Sequence, residues 1–309
     1  MADLSRRGRR GQILLITAFV LAVLFVGLAL VMNSVIYSEN LATRADTTTS
    51  QPILHANSME TGTEDVIRYI NEHNTSPSLT DYSPLRTDLE EAFENISDIS
   101  SRHSLRDGQV TNDSLGRQFN GTWIRQTDAT RNFTDKNHAE TWTAVSGAAG
   151  ARSLRIFVNT ASVSSGSSAF TMDAQGTSGT WTLRVGSDQV SGTDSLGNIF
   201  SCPPNAGGTD FWVNVSKGTV NGADCGGLDF AADLDPIAQV DYDNAENITG
   251  TYRWIANESE SNLDPTHYGD TTGPFLEKAI YGTGIEIDFE RESLVFRADR
   301  RVIPGDDRD

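Results

Sequence analysis

Hydrophobic and polar positions fall into three successive patterns along this chain. The first is continuous. Ile13 to Met32 is a run of twenty residues with no charge, in which Thr17 and Gly27 are the weakly polar interruptions. As a helix it rises about 30 Å, the thickness of a bilayer's hydrocarbon core. No second apolar run of that length follows, so the pattern predicts a single membrane-spanning segment continuing through Val35, Ile36 and Leu41 to about Asp46. Thr47 to Pro52 then opposes helix continuation.

The second pattern has helical period. Residues 54–73 place Met59, Val66, Ile67 and Ile70 at helical spacing, with Glu60, Glu64 and Asp65 near the start. Asn74 to Ser83 reads as a polar turn. A further helix is expected with Ser83 as N-cap, Pro84 at its first position, and Leu85, Leu89, Ala92, Phe93, Ile96 and Ile99 on one face. That stripe is expected to pack on the domain's own sheet rather than to serve as a partner-binding face, because so apolar a face would aggregate if exposed.

The third pattern begins after Asp107-Gly108, where Gly, Ser and Thr rise and short β-branched and aromatic runs alternate with turn signals. It predicts antiparallel strands at 122–126, 141–145, 153–159, 169–174, 180–185, 210–215, 252–256 and 284–288. Trp123, Trp142, Trp181, Trp212 and Trp254 fall one in each of five of these. Filling a core is the reading expected of them, and a tryptophan-lined carbohydrate surface is the alternative. Ile285, Ile287 and Phe289 alternate with Glu286, Asp288 and Glu290, turn at 291–293 and return through 294–298, a hairpin with one wet face. The expected fold class is therefore α+β: a basic leader over 1–11, a long N-terminal transmembrane and stalk helix over 12–46, a helical portion over 47–106, a sandwich-like antiparallel β-rich extracellular body over 107–303, and a charged, disordered tail over 304–309.

Charge sets the orientation. Arg6, Arg7, Arg9 and Arg10 precede the apolar run, while the chain as a whole carries a net charge of -18. Residues 1–11 hold four arginines and one aspartate, which leaves -21 for the remainder. Arginine on the short side predicts the N-terminus in the cytoplasm and the body outside. Lysine is confined to Lys136, Lys217 and Lys278. Such an acidic, lysine-poor composition suits high salt and argues against nucleic acid and anionic membrane surfaces as partners.

An extracellular body makes a disulfide between Cys202 and Cys225 the expected state of the two cysteines. It also makes eight N-x-S/T sequons possible N-glycosylation sites: Asn74, Asn95, Asn112, Asn120, Asn132, Asn214, Asn247 and Asn257. No catalytic motif appears. His55, His73, His103, His138 and His267 are scattered, and nucleophile-elbow, phosphate-loop, zinc-protease and dinucleotide signatures are missing, so no enzyme activity, cofactor or metal is expected. Asp229 to Glu246 is the densest carboxylate stretch. Asp241, Asp243 and Asn247 match calcium-loop positions, but Ala245, Glu246 and Tyr252 stand where a ligand, a glycine and a bidentate glutamate are needed. It reads as a solvated acidic loop.

Arg10-Gly11-Gln12 directly ahead of the apolar run resembles the class III signal peptide of archaeal type IV pilin-like proteins, and Val31 to Arg44 is similar to the corresponding stretch of uncharacterised haloarchaeal pilin-like membrane proteins. The resemblance implies cleavage by a prepilin peptidase between Gly11 and Gln12. The fifth mature position, where major pilins carry glutamate, is Ile16. That departure fits a minor pilin or pseudopilin acting in filament assembly or adhesion, held in membrane lipid through 13–32 and partnered by other pilin-like subunits. The alternative is a non-polymerising, membrane-anchored extracellular module that binds a glycan or a cation.

Overall fold

The computed structural model describes residues 50–73, 81–204, 210–228, 234, 236–259, 263–269, 273–292 and 294–305. The chain divides into two compact units, Met1–Asn57 and Ser58–Asp309. The first is described only over 50–57, and the packing discussed below belongs to the second.

Two α-helices stand among the described residues: α1 over 50–73 and α2 over Ser83–Arg106. Tyr82 occupies the cap position of α2, and the Asp81 carboxylate accepts the Ser83 N–H at 2.9 Å, so the helix begins one residue earlier than a Ser83 cap would set it. Pro84 sits in its first turn, where a missing N–H costs nothing. Leu85, Leu89 and Phe93 are buried at successive turns, whereas Ile99 is exposed, so the apolar stripe dies out before the helix does.

The strands are β1 (Val110–Thr111), β2 (Ser114–Gln126), β3 (Trp142–Ala148), β4 (Ala151–Asn159), β5 (Phe170–Gly176), β6 (Thr180–Val185), β7 (Val190–Thr193), β8 (Ile199–Cys202), β9 (Phe211–Asn214), β10 (Thr219–Val220), β11 (Ala223–Asp224), β12 (Ile237–Asp243), β13 (Thr249–Ala256), β14 (Phe275–Arg291) and β15 (Leu294–Val302). They form two antiparallel sheets. The first runs β1-β14-β2-β13-β4-β9-β10-β11, with β15 also on β14; the second runs β3-β12-β5-β6-β7-β8.

Alternation explains which side of each strand is buried. Ile124, Leu154, Ile156, Tyr252, Trp254, Phe211 and Val213 from the first sheet share one core with Trp142, Val145, Phe170, Met172, Trp181, Leu183, Val240 and Tyr242 from the second. Aromatic edges tie the two sheets together. Tyr242 meets Tyr252 with ring centroids 5.5 Å apart, and Phe133 lies 5.2 Å from Phe170 and 5.0 Å from Tyr252, all edge-on. Burial raises the Tyr252 and Tyr268 hydroxyls well above the usual tyrosine range, so both stay neutral.

The expected α+β class with a long transmembrane helix is thereby corrected. The described fold is mainly antiparallel β in two sheets, and no helix among the described residues is long and apolar enough to cross a membrane. The apolar run 13–32 lies outside the described residues. A second correction concerns the acidic stretch. Its part from Ile237 to Asp243 is no loop but an inner strand between β3 and β5. There Asp241 accepts hydrogen bonds from Thr143 at 2.6 Å and Gln239 at 2.7 Å, and Asp243 accepts one from Thr141.

On the outer face of the first sheet, Trp123, Ile255, Ala279 and Tyr281 form a separate apolar cluster. Asn71 of α1 anchors that face. β15 pairs with β14 only from Thr283 onward, which leaves Ile280 beyond its reach. The Asn71 amide donates to the Ile280 carbonyl at 2.8 Å and accepts the Ile280 N–H at 2.8 Å, standing in for a strand. The Trp123 indole donates to the Asn71 carbonyl at 3.2 Å, and the buried Arg152 guanidinium donates to the carbonyls of Ile280 and Tyr281 at 3.1 Å each. Truncating Asn71 orphans the buried Ile280 N–H and leaves the Ile280 carbonyl to Arg152 alone. Asn71→Ala is expected to lower stability by about 1–3 kcal/mol, read from urea unfolding of the full chain, with no change in secondary-structure content.

A second buried network sits in the turn before β3. Asp135 accepts backbone N–H groups of Asn137 at 2.7 Å and Ala139 at 2.8 Å, and its other oxygen accepts from the His267 ring at 3.0 Å. Burial pushes the carboxyl upward, but the hydrogen bonds from Ala139, His267 and Asn137 outweigh it, and the group ionises below the ordinary aspartate range. A depressed folded value contributes stability above the unfolded pKa, and that contribution is lost as pH falls through the folded one. Asp135→Asn is expected to cost about 1–3 kcal/mol at pH 7. The gap from the parent chain should narrow as urea melts are repeated below about pH 4.

Candidate functional site

Beyond the cover anchored by Asn71, the outer face of the first sheet changes character. Strand alternation that sends Ile124, Tyr252, Trp254 and Ile156 into the core sends Arg125, Arg253 and Arg155 outward. Arg125 on β2 faces Arg253 on β13, Arg253 faces Arg155 on β4, and Arg155 faces Asn214 on β9. Directly opposed residues stand about 4.5–5.5 Å apart at Cβ, so three guanidinium groups share one row across three strands. The neighbouring row is Thr251, Phe157 and Trp212. Phe157 and Trp212 contact each other with centroids 4.9 Å apart, and Trp212 is 51% exposed.

The three arginines, Thr251 and Trp212 line a half-open cavity of about 410 Å³, completed by Gln126, Thr127 and Tyr252. Gly250 shapes it. Its φ of +150° and the position of the Phe157 carbonyl, 1.9 Å from where a Cβ would stand, allow no side chain, and β13 therefore lies close against β4.

Like charges placed directly opposite one another weaken a sheet. Arg125 pairs with the buried Glu277 of β14, and the Arg253 guanidinium lies 5.6 Å from the Trp123 ring centroid. The three arginines are half-buried and line the cavity, and a guanidinium fork is the geometry that receives planar anions. In a chain of net charge -18 this is a local inversion of sign.

The residues singled out in the sequence are dispersed. Gly11, Gln12 and Asn74 lie outside the described residues. Cys202 and Cys225 are disulfide-bonded, with Cα atoms 5.9 Å apart, and the bond closes the segment that carries β9. Asn95 and Asn112 are exposed. The remaining sequons sit half-buried. Asn120 accepts from Arg86 at 2.7 Å and donates to Ser259 at 3.2 Å. Asn132 donates to the Glu246 carbonyl, Asn247 donates to the Glu246 carboxylate at 2.8 Å, and Asn214 accepts the Lys217 N–H at 3.0 Å. Asn257 is tied through its backbone N–H to the Gly150 carbonyl at 2.8 Å. No group of three metal-binding side chains occurs among the described residues. The arginine row is not legible as a row in the sequence. The single available signal was that Arg125, Arg155 and Arg253 each interrupt an otherwise apolar strand pattern.

Residues 7–141 are similar to a family of unknown function (DUF7261), a match that covers less than half of the chain and stops before β3. No curated protein matches the chain, and no solved structure does. Arg125 falls inside the matched segment, whereas Arg155, Trp212 and Arg253 fall beyond it.

Proposed function

We propose that this protein is a non-catalytic binding module displayed at the cell surface, where it acts in adhesion, and that its arginine row takes an anionic ligand. The observation that carries this reading is the cross-strand series Arg125, Arg253 and Arg155 beside the exposed Trp212. Three cations held in register on rigid strands are pre-organised, so little ordering entropy opposes capture of an anion. Surface display is supported by the charge asymmetry about the apolar run 13–32 and by a disulfide that suits an oxidising compartment.

The test is binding of the full-length, detergent-extracted protein to polyglutamate and, as a neutral control, dextran. Binding to polyglutamate is expected, and the double variant Arg155→Thr/Arg253→Thr should weaken it roughly 10- to 100-fold while leaving the melting temperature nearly unchanged. Equal retention on polyglutamate and dextran overturns the reading.

A second reading rests on Arg10-Gly11-Gln12 set against the apolar run: a minor pilin-like or pseudopilin-like subunit, processed by a prepilin peptidase and assembled with other such subunits. N-terminal mass spectrometry of the protein extracted from membranes tests it. A mature chain beginning at Gln12 is expected, and an intact Met1 or Ala2 end removes the argument.

A further inference from the structure

We infer that the unpaired edge of β2 is a docking site for an extended, lysine- or arginine-bearing peptide segment of another protein, which adds to the first sheet as a further strand in the cleft beside α2. This site shares no residue with the cavity of the arginine row.

The two edges of β2 are used unequally. β14 takes one of them from Ser114 to Arg125, whereas β13 takes the other only from Thr122 to Gln126. Past that point the chain after β13 turns away: Asn257 donates its N–H to the Gly150 carbonyl at 2.8 Å and accepts the Ala149 N–H at 3.2 Å. Among the described residues no other strand pairs with this edge from Ser114 to Gly121. The open stretch is about 25 Å long. Two adjoining cavities of about 570 and 650 Å³ follow it. The first is lined by every residue from Gly116 to Asn120, the second by Asp113 to Gly116 and by Gln118. A cavity on one face of a strand meets every second residue, so contact with consecutive residues places these two along the edge. α2 forms the other wall. Arg86 donates to Asn120 at 2.7 Å and Gln118 donates to Glu90 at 3.0 Å, which holds the helix over one face of β2 and leaves the edge open to the side. Unpaired amide and carbonyl groups beside a helix are what an extended segment needs to join a sheet.

The second cavity sets the charge of the occupant. Glu90, Glu94 and Asp98, at successive turns of α2, line it together with Asp113 ahead of β2, and no lysine, arginine or histidine among the described residues does. Arg102 pairs with Asp98 from outside, and Glu90 accepts from a neutral amide, so the wall stays acidic. An added strand alternates its side chains, and every second one meets α2. Lysine or arginine at those positions is matched, whereas an acidic segment is repelled. The first cavity carries both signs, with Arg86 and Arg117 beside Glu90 and Glu258, and sets no such preference.

The experiment uses the full-length, detergent-extracted protein from a host without N-glycosylation, because Asn95, Asn120 and Asn257 line the two cavities. A blocked heptapeptide of alternating lysine and valine is titrated by calorimetry, beside its glutamine-for-lysine counterpart and a copy N-methylated at every amide. The lysine peptide is expected to bind roughly tenfold more tightly than the glutamine peptide, and N-methylation to abolish binding. Glu94→Lys, at an exposed position of α2, should weaken the lysine peptide roughly three- to tenfold. Hydrogen exchange in the presence of the lysine peptide should slow at the amides of 114–121 and not at Ile199–Cys202, the last strand of the second sheet. No binding of the lysine peptide, equal binding of its N-methylated copy, or protection elsewhere than 114–121 overturns the docking site. Equal binding of the lysine and glutamine peptides, or an affinity indifferent to Glu94→Lys, overturns the cationic occupant.

Discussion

One side-chain amide decides what the outer face of the first sheet is free to do. Asn71 supplies a donor and an acceptor to Ile280 at a point of β14 that β15 does not reach, and it receives the Trp123 indole on its carbonyl. Both bonds are buried, where an unmade hydrogen bond costs more than a made one contributes. The match therefore fixes α1 at one place on the sheet. The apolar cluster of Trp123, Ile255, Ala279 and Tyr281 lies on that face, and the arginine row begins two residues along from Trp123 and Ile255. Cover and groove are two consequences of one docking position.

The row itself carries an internal tension. A sheet built for stability alone would place threonine or alternating charges where Arg125, Arg253 and Arg155 stand in register. Glu277 relieves one end of the series by pairing with Arg125. The inward neighbours of the same residues, Ile124, Tyr252, Trp254 and Ile156, are core members of the kind that hold strands in place. The same alternation that builds the core thus also fixes the spacing of the cations, and rigidity on one face becomes pre-organisation on the other.

Local periodicity was readable from the chain, and long-range pairing was not. The stripe through Leu85, Leu89 and Phe93 and the alternation through Ile285, Ile287 and Phe289 each sit where sequence places them. Helical segments of this length suggest a layer of their own in the sequence, whereas α1 and α2 are few beside two broad sheets. The aspartates of Ile237–Asp243 give it the look of a loop in the sequence, although Ile237, Val240 and Tyr242 are buried strand positions. Irregular pairing of β12 with both neighbours breaks the period of two that would have marked it as a strand. The groove was invisible for a different reason. Arg125, Arg155 and Arg253 are far apart in sequence, and only strand register makes them neighbours.

The bond between Cys202 and Cys225 has a consequence for solubility. Cys202 ends β8, the last strand of the second sheet, and Cys225 directly follows β11, the last strand of the first. Outermost strands carry unpaired backbone groups and invite other chains to add to them. A covalent tie between the two sheets at this margin keeps them from parting to expose the interior between them. Where thiols are kept reduced, that seam is open, and self-association of the protein should begin along it.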